Sequence, residues 1–98
     1  MIALSREAED HVDRLIAHYE ELARPRAAEK LLEAIERAKL RISKAPGAGL
    51  EAPRPYPMLK KAGRRWIKEG SYWIAYRTTA PPVIAGIYYA TVDIPRWV

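Results

Sequence analysis

The chain has 98 residues, 49% of them hydrophobic and 30% charged, with a formal net charge of +5 and no cysteine. That length supports one core rather than two, so a single domain over 1–98 is expected, and the missing cysteines exclude disulfides and thiolate metal sites. No apolar run approaches the roughly 18 residues of a membrane span and no signal-peptide pattern opens the chain, so a cytoplasmic protein with no membrane contact is expected.

Met1-Ile2-Ala3-Leu4 reads as a short apolar strand whose natural place is a sheet edge. Ser5 follows as a helix N-cap, and Glu7, Glu9 and Asp10 load the first turns with the negative charge a helix dipole favours. Ala8, Val12, Leu15, Ile16, Tyr19 and Leu22 recur at helical spacing up to about Ala23. Pro25 suits the first turn of a new helix, so a second one starts at once. Its stripe is Ala28, Leu31, Ile35, Ala38, Ile42 and Ala45; Lys39, Arg41 and Lys44 follow the dipole, and Pro46-Gly47 ends it. The tight join predicts an antiparallel helix hairpin.

Residues 46–64 carry four prolines and should be extended and irregular. Aromatic and β-branched residues then dominate, interrupted by Gly-Ser and by Thr-Thr-Ala-Pro-Pro as turns do. Three strands of an antiparallel meander follow from this, at about 65–69, 72–78 and 83–89. In the middle one Tyr72, Ile74 and Tyr76 share one face, and Trp73, Ala75 and Arg77 the other. The last strand is apolar on both faces and should lie centrally. The fold class is therefore α+β, with the hairpin on one sheet face and the other face less covered.

Charge is uneven. Residues 1–50 balance nine Lys/Arg against nine Asp/Glu, while residues 51–98 hold eight against three. Lys60, Lys61, Arg64, Arg65 and Lys68 cluster, which suits a polyanion or an acidic protein partner as well as it suits a solvated basic loop. His11 and His18 lie seven apart on the first helix with no third ligand at metal spacing, so they read as partly buried boundary residues. No phosphate loop, nucleophile elbow or zincin motif is present, and neither metal nor cofactor is expected. Arg65, Lys68, Arg77 and Tyr89 could serve RNA cleavage, the cations stabilising a pentacoordinate phosphate and the phenol assisting proton transfer; packing tyrosines beside solvated cations are the simpler reading.

Gly-Ser-Tyr-Trp-Ile-Ala-Tyr at 70–76 and Pro-Val-Ile-Ala-Gly-Ile-Tyr-Tyr-Ala-Thr-Val-Asp-Ile-Pro at 82–95 complete a pattern. With the short strand and helix hairpin before them, they resemble the RelE/ParE-type toxins of bacterial type II toxin–antitoxin modules. Arg65, Tyr76 and Asp93 match an arginine, a tyrosine and an aspartate common in that family. Trp73 stands where many members have arginine, and no histidine follows His18, so the chain is closer to the ParE-like branch. The resemblance implies a toxin that inhibits DNA gyrase without being an enzyme, neutralised by a cognate antitoxin with a disordered, acidic, amphipathic C-terminal segment. Its alternatives are a ribosome-dependent mRNA endoribonuclease and a degenerate module that only binds an antitoxin. Lys60, Lys61, Arg64, Arg65, Lys68, Trp66, Trp73 and Trp97 are the expected partner-binding residues.

Overall fold

The computed structural model describes residues 2–96. Strand β1 (Ala3–Leu4) leads into helix α1 (Arg6–Glu21), and α2 (Pro25–Lys44) follows. Strands β2 (Arg64–Glu69), β3 (Tyr72–Arg77) and β4 (Val83–Tyr89) complete the α+β fold that the sequence predicts. No helix among the described residues is long and apolar enough to cross a membrane.

Ser5 caps α1 as expected, its Oγ accepting the Ala8 N–H at 3.1 Å. The helix stops where Ala23 turns to a positive φ of 51° and the Arg24 N–H reaches back to the Tyr19 carbonyl. Pro25 then occupies the start of α2, where its missing N–H costs nothing. Leu31, Ala34, Ile35, Ala38 and Ile42 form the buried stripe of α2. Two expected stripe positions are corrected. Leu22 and Ala45 are exposed because each is the C-cap of its helix, where the backbone has left helical geometry.

The sheet order is β1-β4-β3-β2, with β1 parallel to β4 and the other pairs antiparallel. The last strand is therefore interior and the first is at the edge, as their composition predicts. Tyr72, Ile74 and Tyr76 face the helices, and Trp73 and Ala75 face away. A bulge interrupts the β3–β4 register: Ala75 pairs with Gly86 and Tyr76 with Ile84, leaving Ala85 unpaired. The extra residue resets the alternation, so Ile84 and Ile87, three apart, both enter the core beneath the helices.

The face away from the helices is not left bare, which corrects the expectation of a less covered side. Trp66, Trp73, Ala75 and Ile94 form a second buried cluster, covered by Tyr56 and Leu59 from the proline-rich segment and by Val92 from the tail. Such indoles bury too much apolar area to be stable in water, so the irregular segments close over them.

Tyr76 anchors that closure. Its hydroxyl donates to the Pro46 carbonyl at 2.6 Å and accepts the Gly49 N–H at 3.2 Å, both in a segment with little regular structure. Tyr76→Phe leaves the buried Gly49 N–H unpaired and frees the Pro46 carbonyl, and should lower stability by about 1–3 kcal/mol. Urea denaturation checks the magnitude, and faster amide exchange at Gly49 checks the cause.

Candidate functional site

Strand β1 pairs with only Val83 and Ile84, so the outer edge of β4 continues beyond it. Two side chains close that edge. The Ser5 hydroxyl lies 3.5 Å from the Ala85 carbonyl, and the Ile87 N–H donates to His11 Nδ1 at 3.1 Å. An imidazole that accepts through Nδ1 carries its own proton on Nε2 and is neutral. Burial and the nearby Arg14 guanidinium push the His11 pKa down, against smaller opposing effects of Glu7 and Asp10. His18, expected to be partly buried like His11, is exposed, with no hydrogen bond to β4 among the described residues like the one that holds His11.

Between α1 and β4 runs an apolar groove of about 390 Å³, lined by Arg14, Leu15, His18, Ile87, Tyr89 and Val92. His11 and Tyr88 form its wall, their rings 4.9 Å apart. Tyr88 also packs 5.7 Å from Trp66 and lies across Gly86, where a Cβ would come within 2.8 Å of the ring. A side chain at Gly86 would therefore displace the Tyr88 ring.

Beyond that wall, on the face away from the helices, a second cleft of about 520 Å³ is bordered by Lys61, Arg64, Arg77 and Glu7. Neither groove nor cleft was legible in the sequence. His11 and Ile87 are 76 positions apart, and no local pattern announces their bond.

The side chains suggested for RNA cleavage are not brought together. Strand parity puts Arg65 on the side of Ile67 and Glu69, where it donates to the Gly49 carbonyl at 3.3 Å. Tyr89 is on the helix side as well, packed edge-on against Tyr72 at 5.6 Å. Lys68 and Arg77 are on the opposite side, but their cross-strand partners are Trp73 and Arg64, at different ends of the sheet.

The expected partner-binding residues are also redistributed. Trp66 and Trp73 are 0% and 6% exposed, so the open aromatic area predicted for them is corrected to core. Lys60 is exposed and paired with Glu51 at 3.0 Å. Lys61 and Lys68 are exposed, and Arg64 is half-buried, its guanidinium over the Trp66 ring and donating to the Leu59 carbonyl. Trp97 lies outside the described residues.

A helix hairpin on a mixed four-stranded sheet of this order is the architecture of the RelE/ParE-like toxins. The chain belongs to the ParE toxin family: the family model described as the ParE toxin of the type II toxin–antitoxin system parDE matches residues 2–87. Membership makes it a toxin-type chain of such a system, in which a cognate antitoxin is the partner. The comparison with curated proteins returns no match.

The neutral His11 has a consequence for stability. Its pKa is lower folded than unfolded, so the unfolded chain binds the proton more readily. The contribution is complete above about pH 6.5 and is lost as pH falls below that through the folded-state value. Urea midpoints at about pH 7.5 and 5.5 should differ, and His11→Gln should remove part of the difference. A His11 imidazole that titrates above its ordinary value by NMR would contradict this.

Proposed function

We propose that this chain, acting as one domain over residues 1–98 in the cytoplasm, arrests growth by inhibiting DNA gyrase and is neutralised by its cognate antitoxin. Membership of the ParE family supports a toxin. The observation that favours an inhibitor over a ribonuclease is the division of Arg65, Lys68, Arg77 and Tyr89 between two sheet faces and two ends. General acid–base cleavage of a phosphodiester needs those groups within hydrogen-bond reach of one phosphate.

The antitoxin segment, in this reading, folds on binding and so needs apolar burial to offset its ordering entropy. The α1–β4 groove supplies it, with Leu15, Ile87 and Val92 as the apolar floor and Arg14 at the rim for an acidic residue. The basic cluster at Lys60, Lys61, Arg64, Arg65 and Lys68 acts at longer range, raising the encounter rate of an acidic partner.

Two measurements test this. Induced expression should be followed by gyrase-dependent DNA breaks, and the purified chain should inhibit plasmid supercoiling by gyrase. Cuts in mRNA at the ribosomal A site would select the ribonuclease instead, and harmless expression would leave only a binding module. For the groove, Arg14→Glu should slow antitoxin association several-fold at low salt and flatten its salt dependence in surface-immobilised kinetics. A variant that associates as fast as the parent chain would move the antitoxin off the groove.

A further inference from the structure

Carboxylates are scarce where the cations of the sheet are closest. Arg64 and Arg77 are direct partners in the β2–β3 register, on the face away from the helices. Directly opposed residues stand about 5 Å apart, and like charges so placed repel. Elsewhere the chain resolves such crowding with an acid: Arg37 and Arg41 converge on Glu69 at 2.8 and 3.0 Å, and Lys60 takes Glu51. The Glu69 carboxyl, which burial would raise, is held below its ordinary value by those two guanidinium groups. Among the described residues no carboxylate is within ion-pair distance of Lys61, Arg64 or Arg77.

These three cations border the 520 Å³ cleft, and Glu7 is the one carboxylate that lines it. Arg64 is set in place before any ligand arrives, by the Leu59 carbonyl and by the Trp66 ring 5.3 Å from its guanidinium carbon. The indole N–H of Trp66 and the Nε–H of Arg64 are buried without an acceptor among the described residues, behind the residues that line the cleft. His11 and Tyr88 close the side toward α1.

We propose that this cleft binds the phosphodiester backbone of a single-stranded nucleic acid. Arg64, Arg77 and Lys61 hold the phosphate oxygens, and Tyr88, which lines the cleft, borders the base. Arg64 and Arg77, opposed in register and both bordering the cleft, carry guanidinium donors that suit the several acceptor oxygens of a phosphate better than a lone carboxylate. The volume is that of a small-ligand pocket, enough for one nucleotide unit, and an aromatic wall beside cations is the usual platform for unstacked bases. A duplex holds its bases stacked, whereas a recessed cleft admits a strand that can turn one base inward. The inference does not depend on which cellular target the toxin poisons.

Fluorescence anisotropy with a short labelled oligodeoxynucleotide and with its 2′-O-methyl RNA counterpart tests it, the modified RNA being inert to hydrolysis through its 2′ position. Lys61→Gln with Arg77→Gln changes two exposed residues and spares the fold. That double variant should lose at least tenfold in affinity, and its salt slope should fall by about 1.4, roughly 0.7 for each lost phosphate contact. Arg26→Gln with Lys44→Gln removes the same charge from α2 and should change affinity less than threefold. The tighter of the two oligonucleotides identifies the source of the phosphodiester. Equal losses in the two double variants would reduce the effect to net charge and overturn the site. So would an unbound wild-type chain at low salt, or a polyglutamate peptide that displaces the oligonucleotide at equal or lower charge concentration.

Discussion

Everything in this fold depends on β4 meeting two demands at once. It is interior to the sheet, so both of its faces must be apolar, yet only two of its residues are paired on the outer side. The bulge at Ala85 reconciles these demands. Without it, simple alternation would send Ile84 and Ile87 to opposite faces. With it, both enter the helix-side core, and Tyr88 turns to the far face against Trp66. The outward backbone groups that the bulge leaves are taken up by side chains of the helical half, Ser5 at Ala85 and His11 at Ile87. Ser5 and His11 thus complete the outer side of the last strand.

The parts that could be read from the sequence are those set by neighbours in the chain. Ser5 before an acidic turn, Pro25 at a helix start, and the strict alternation from Tyr72 to Arg77 act over a few residues, and each appears where its chemistry places it. The parts that could not be read are non-local. Val-Ile-Ala-Gly-Ile-Tyr-Tyr is apolar at nearly every position, so it carries no parity from which a bulge could be inferred. His11 looks like any boundary histidine until β4 lies beside it. Prolines mark residues 46–64 as irregular, but not as the lid over two indoles.

The same contrast governs the candidate site. Clustering along the chain made Lys60, Lys61, Arg64, Arg65 and Lys68 look like one basic surface. A strand splits such a cluster by parity: Arg64 and Lys68 point one way and Arg65 the other. What joins Arg64 in space is Arg77, from the next strand. Aromatic content misled in a similar manner, because a tryptophan in a strand is as apt to be core as contact surface, and Trp66 and Trp73 are core. Tyr88, which nothing in the sequence distinguishes from its apolar neighbours in β4, is the ring that separates groove from cleft.

The single bridge between Leu50 and Trp66 matters beyond the loop it tethers. Their backbones exchange two hydrogen bonds of 2.7 Å at the middle of β2's outer edge. A four-stranded open sheet has two rims, and any unpaired rim can template growth by adding another copy of the chain. Here the β2 rim is stapled at its centre by a segment whose flanking prolines have no N–H to offer a further strand. The β4 rim is stopped by a two-residue strand, a hydroxyl and an imidazole. Neither side presents the long, regular ladder from which fibrous self-assembly starts, so a chain parted from its partner keeps its backbone to itself.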